Sequence, residues 1–285
     1  MRNVERKRTG PFGGKARAAR RTWALAALAA AALVLSGCMY PKEQTPGNAA
    51  SARQAVLTVQ DAVDQYKQAT GLLPIVSADE SVPVYEKFKI DLGKLKRMQY
   101  LGSVPSVAFE SGGNYQFLII DEETKPTVKL LSIPIYQAVA DVQAKVDAYV
   151  ERHGGQPPKG EALYPGFWTV DFGELGMKEP NIASMYSGQS LSLMTDAAGK
   201  VFVDYGADIA AAVSKSGKTP ADGEDLRRTL VDQSYYVPVK APVYYWVNGE
   251  PQAQPANRSG SQPEAGSEPE ASSASSAKAA SASGS

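Results

Sequence analysis

Few side chains in this 285-residue sequence could do chemistry by themselves, and their counts bound what that chemistry is. There is one cysteine, Cys38, and one histidine, His153. A lone cysteine forms no disulfide within the chain, and one cysteine with one histidine makes a poor zinc site. A nucleophile–base–orienter triad needs a base. His153 falls just before Gly154 at the end of an apolar-periodic segment, where a cation suits the helix dipole. No G-x-S-x-G, P-loop or H-E-x-x-H pattern occurs. Carboxylates are plentiful. Asp64 and Asp147 recur in register with Gln60 and Gln143, and Asp91 and Asp171 each precede an apolar–Gly pair. A facing pair could serve acid–base hydrolysis of a glycan, whereas Asp91 and Asp171 read as turn or cap residues. The aromatics Tyr164, Trp168, Tyr236, Tyr245 and Trp246, in "YPGFW" and "YYVPVKAPVYYWV", are the candidate binding residues. Neighbouring aromatics in a strand point to opposite faces, so one of each pair can stack on a sugar or dock a protein. The cluster Lys87, Lys89, Lys94, Lys96 and Arg97 reads as a solvated face.

Cys38 is explained by what precedes it. Residues 1–21 carry eight basic side chains and one acidic one, and an uncharged apolar run of 13 residues follows, from Trp23 to Leu35. A membrane-spanning helix needs about 20, but this run has the length of a secretion-signal h-region behind a basic n-region. Leu35-Ser36-Gly37-Cys38 resembles the lipobox of bacterial lipoproteins. The resemblance implies a signal peptide over 1–37, cleavage before Cys38, and a diacylglyceryl group on its sulfur. "ARRTWAL" at 19–25 also looks like a twin-arginine export signal. The lipobox, the following "TPGN" and the mixed body resemble uncharacterised lipoproteins of Gram-positive spore-formers, which implies an address and no activity.

Removing residues 1–37 takes eight basic and one acidic side chain from totals of 30 and 30, leaving 22 against 29, a net of −7. That balance argues against a nucleic-acid partner. The expected organisation is a linker over 38–50, a folded body over about 51–250, and a disordered Ser/Ala/Pro/Glu-rich tail over 251–285.

The body contains a duplication. "VQDAVDQYKQATGLLP" at 59–74 and "VQAKVDAYVERHGGQP" at 142–157 share seven of 16 positions at an offset of 83. In each copy four apolar residues step by 3, 4 and 3 (Val56, Val59, Val63, Tyr66; Val139, Val142, Val146, Tyr149), one face of a helix. Ser51 is the expected N-cap of the first helix, and Ser132 or a nearby residue that of the second. Gly71 and Gly154 are the expected left-handed stops, with Pro74 and Pro157 beyond. "YEKFKIDLGKL" at 85–95 then aligns with "YPGFWTVDFGEL" at 164–175, and an alternating hairpin pattern closes each copy. The spacing Tyr-x4-Gly-x2-Pro is similar to the helix ends of type IV pilins and pseudopilins, although the pilin leader is missing.

The expected fold is α+β: two helix–antiparallel-sheet repeats over 51–133 and 134–205, with a degenerate third unit over 206–250. The expected function is a non-enzymatic, lipid-anchored extracytoplasmic binding or scaffold protein. It would be held to the membrane through Cys38, need no cofactor or metal, and have an envelope protein or wall polymer as partner. The alternatives are a solute-binding transporter component, which calls for a cleft between the repeats, and a carboxylate-dependent hydrolase.

Overall fold

The computed structural model describes residues 46–255. The expected signal peptide over 1–37, Cys38 and the residues after Pro255 lie outside the described residues. The fold is α+β, built from small antiparallel sheets.

The first unit opens with α1 (Pro46–Thr70), which starts five residues before Ser51, so Ser51 lies inside the helix and does not cap it. Residues 46–50, expected to belong to the linker, are therefore helical. α1 buries Val56, Val59, Val63 and Tyr66, the face that the periodicity requires. Gly71 ends it at φ +71, its N–H donating to the Lys67 carbonyl. Then come β1 (Phe88–Lys89), the short helix α2 (Leu92–Arg97), β2 (Tyr115–Ile120) and β3 (Thr127–Ser132). The sheet runs β1-β2-β3, and an antiparallel bridge from Ile75 to Ile90 adds a rudimentary fourth strand.

The second unit repeats this plan. Ser132 caps α3 (Ile133–Arg152), its Oγ accepting from the Ile135 N–H. β4 (Lys159–Tyr164), β5 (Phe167–Val170), β8 (Leu193–Asp196) and β9 (Val201–Val203) form the sheet β4-β5-β8-β9. The Lys159–Val170 pair occupies the place of Ile75–Ile90, and β5–β8 that of β1–β2. A small hairpin, β6 (Ile182–Ala183) with β7 (Ser190–Leu191), is inserted before β8. One detail shifts the alignment. The Asp91 N–H donates to the Pro74 carbonyl, but the Asp171 N–H donates to that of Pro158, not Pro157. The second copy has one more residue at its helix stop, where Gly154 and Gly155 both take positive φ.

The remaining chain supplies α4 (Gly206–Ser216), α5 (Arg227–Gln233) and the hairpin β10 (Val243–Val247) with β11 (Glu250–Gln254). Asn248 and Gly249 turn that hairpin, both at positive φ, as a two-residue type I′ turn demands. Residues 251–254, expected to belong to the tail, instead form β11, with Pro251 and Ala253 buried. Residues 235–237 run alongside β3, with Leu130 N–H donating to Tyr235 and Val237 N–H to Leu130.

The β2–β3 hairpin is buried on both faces. Phe117, Ile119, Val128 and Leu130 pack with α1. Leu118, Ile120 and Leu131 join α3, the second sheet, α4, α5 and the last hairpin in a second core. The two copies thus meet through packed side chains.

Candidate functional site

The paired Gln and Asp residues of the two helices act on the scaffold. Gln60 Nε2 donates to Asp64 (2.9 Å) and to the Pro126 carbonyl (3.1 Å), while its Oε1 accepts from the Val128 N–H (2.8 Å). Gln143 repeats every bond, with Asp147 (2.7 Å), the Gly199 carbonyl (2.9 Å) and the Val201 N–H (2.7 Å). Each amide reads one acceptor just ahead of the hairpin's second strand and one donor within it, which ties helix to sheet. The spacing from glutamine to strand is 68 residues in one copy and 58 in the other, which is why the sequence match slips after the helices. Asp91 and Asp171 accept from the N–H groups of Lys94 (2.7 Å) and Glu174 (3.0 Å), so both cap turns. His153 ends α3 with Nδ1 2.8 Å from the Tyr149 carbonyl and its ring stacked on Tyr149. Tyr149 itself leaves the buried face, its hydroxyl donating to Glu174.

The aromatic candidates divide. Tyr164 ends β4 and donates to Asp204 Oδ1 (3.0 Å), the carboxylate that also accepts from Tyr244 (2.8 Å) and from the Gly206 N–H (2.8 Å). Asp204 thus gathers strand β9, helix α4, strand β4 and strand β10 at one point. Burial, followed by the neighbouring Asp204 charge, holds both phenols well above their ordinary range, so they stay protonated donors. Beside Tyr164 lies an open groove of about 340 Å³, lined by Leu163, Pro165, Gly206, Ala207, Glu250 and Gln252 among others. Tyr245 pairs with Gln252 across β10–β11 and faces away from the buried Tyr244. Trp246 pairs with Pro251 and is half-buried, packed against the core. Trp168 is half-buried, with Lys159 Nζ 3.9 Å from its ring centroid. Tyr236 belongs to the first sheet, tilted against Tyr115 at 5.6 Å. The structure therefore brings Tyr164 and the β10–β11 hairpin to one groove and leaves Trp168 and Tyr236 elsewhere.

A second groove, of about 230 Å³, is lined by Ser51 and by the loop from Ser106 to Tyr115. Neither groove is walled by both helices of the duplicated units. Among the described residues no group of three His, Cys, Asp or Glu is placed to hold a metal ion, and no helix is long and apolar enough to cross a membrane.

Residues 52–132 match the YphF family N-terminal domain. That span runs from within α1 to the last residue of β3, the first of the two units. No curated protein and no solved structure matches the chain.

Several partnered charges escaped the sequence reading. Glu86, 5% exposed, accepts from Lys240 Nζ (2.8 Å), whose ammonium also lies over the Tyr136 ring. Lys129 donates to the carbonyls of Val231 and Ser234, both at 2.6 Å, closing the carboxyl end of α5. Ser184 donates to the buried Asp208 (2.6 Å). Arg228 grips Asp121 with two nitrogens, at 2.6 and 2.9 Å. Only Asp204 carried a signal, as an aspartate placed two residues ahead of a glycine that opens a helix.

Proposed function

We propose that the protein is a lipoprotein anchored through Cys38 on the outer face of the cytoplasmic membrane, where its body binds an envelope protein or wall polymer without catalysing a reaction. The observation that carries this reading is the order basic segment, 13-residue apolar run, Leu35-Ser36-Gly37-Cys38. Each buried acyl methylene contributes about 0.8 kcal/mol of membrane affinity, so two or more chains hold a protein where one does not. The binding half of the proposal is supported by the groove beside Tyr164 and by half-buried Tyr245, whose strand partner Gln252 lines that groove. The recurrent glutamine and aspartate side chains are occupied in the scaffold, which supports a binding role over acid–base chemistry.

Radiolabelled palmitate fed to an expressing bacterial host tests the anchor. Wild type takes the label and its mature chain starts at Cys38, while Cys38→Ala is unlabelled and leaves the membrane fraction. Label retained in Cys38→Ala refutes the assignment. A photocrosslinking residue at Tyr245 then tests the binding face. One reproducible protein or glycan adduct is expected there, lost when Leu163 is changed to Asp. Recovery no greater than from a probe at the distant Leu72 refutes it.

A further inference from the structure

Residues 98–120 carry a single charged side chain, Glu110, in a chain where charges are otherwise frequent. The middle of this segment is a tight loop over 105–115, cross-braced by five of its own backbone hydrogen bonds. The N–H groups of Ala108, Ser111, Gly112, Gly113 and Tyr115 donate to Pro105, Ala108, Phe109, Ala108 and Val107. Gly113 lies so close to Val107 that a Cβ there would stand 2.2 Å from its carbonyl carbon, so the loop holds one shape. It presents Phe109 to solvent at 51% exposure while Ala108 beside it is fully buried.

The loop lies against the amino-terminal part of α1, with which it shares the groove at Ser51. That is where the chain arrives from Cys38. Seven residues, 39–45, separate the cysteine from Pro46, and fully extended the eight steps between them reach at most about 29 Å. α1 is 25 residues long, about 37 Å at 1.5 Å per residue, so its two ends stand at very different heights whenever it rises from its anchor. A phenyl ring that projects from such a loop can enter the bilayer interface while the backbone beneath it stays among the hydrated headgroups.

We propose that the 105–115 loop is a membrane-contact surface, with Phe109 inserting into the bilayer that holds the lipid on Cys38; this rests on the anchored reading given above. The contact fixes the body's orientation and directs the opposite end of α1 outward.

Lipidation of Cys38 leaves the mature chain without a free thiol, so an added cysteine is a unique labelling site. Lipidated Phe109→Cys and, as the distal control, lipidated Leu72→Cys (Leu72 is 64% exposed beyond the end of α1) would each carry an environment-sensitive fluorophore. Both would be reconstituted in phosphatidylethanolamine–phosphatidylglycerol vesicles. The label at 109 should shift to the blue relative to detergent solution and be quenched by nitroxide-bearing lipid, and the label at 72 should do neither. Equal, unquenched emission at both sites in protein that floats with the vesicles overturns the contact and leaves the anchor standing. Protein that does not float, with no lipid on Cys38 by mass spectrometry, overturns the anchor and the contact together. Both sites are exposed, so neither change disturbs the fold; matching urea midpoints of the two variants verify this.

Discussion

Gln143→Ala removes both bonds that hold the second hairpin to α3. The change leaves the Val201 N–H and the Gly199 carbonyl, both on buried residues, without their partner. A hydrogen bond exchanged with water is worth about 1 kcal/mol, and a group left buried and unpaired costs about 1–3 kcal/mol. Two such groups set the expected loss at about 2–6 kcal/mol. Gln60→Ala should cost less, about 1–3 kcal/mol, because Pro126 is only half-buried and water can reach its carbonyl. Asp147 is exposed and accepts only from the glutamine, so Asp147→Ala should stay within about 0.5 kcal/mol of wild type. Gln143→Glu separates donor from acceptor. A carboxylate still accepts from Val201 but faces the Gly199 carbonyl and Asp147, and the variant should recover stability as the pH falls and the new side chain gains a proton. The assay is urea unfolding of the unlipidated mature chain carrying Cys38→Ala, with the midpoint shifting at constant slope. A Gln143→Ala midpoint equal to wild type, or a larger loss from Asp147→Ala, would refute the assignment of these residues to the scaffold.

Glu86→Ala strands the Lys240 ammonium, part of which still reaches solvent, and should cost about 2–3 kcal/mol by the same measurement, against about 3–5 for a fully buried pair; a loss below 0.5 kcal/mol (roughly the surface value) would contradict the burial of this pair. Tyr85 is pushed up to about 12, chiefly by burial and then by Asp225, and burial raises Tyr164, Tyr186, Tyr205, Tyr236 and Tyr244 too. A raised folded-state value means that the folded chain holds these protons more tightly. Their stabilisation is complete below pH 10 and is lost as the pH climbs toward 12 and beyond. Phenolate absorbance should therefore appear together with loss of circular dichroism, and a smooth titration near pH 10 of a chain that stays folded would count against the buried tyrosine cluster. Gly113→Ala forces a Cβ onto the Val107 backbone and should cost about 1–3 kcal/mol, with increased proteolysis in the 105–115 loop as the second readout.

The helices were legible because their apolar residues recur at helical spacing and nothing competes with that signal: Val56, Val59, Val63, Val139, Val142 and Val146 are all buried. The glycine stops and the Asp91 and Asp171 caps were legible for the same reason, since their chemistry is local. Asp64 and Asp147 looked like a recurring site because sequence shows recurrence and not the strand main chain that the adjacent glutamines meet 68 and 58 residues later. β11 was lost to composition. Its Pro and Gln content matched the tail, although Asn248-Gly249 is a strong hairpin signal and proline is tolerated in an edge strand. Of the candidate site, Tyr164 and Tyr245 were legible as aromatics. Asp204 showed only its local sign, an aspartate just ahead of a helix-opening glycine; that it draws Tyr164 and Tyr244 together was not legible, because a partner 40 residues away leaves no mark on its neighbours.

The β2–β3 hairpin has a consequence for the order in which the chain can be completed. One of its faces is covered by α1, which is made first, but Leu118, Ile120 and Leu131 wait for elements that follow. Lys129 finds its carbonyls only 102 and 105 residues further on, and the edge of β3 stays unpaired until residues 235–237 arrive. A chain emerging amino end first cannot finish its first copy before nearly all of its last unit is out. Sequence duplication has here produced halves that mature together, and a nascent chain halted after Ser132 would display an apolar sheet face and an open strand edge, the features that recruit chaperones and proteases.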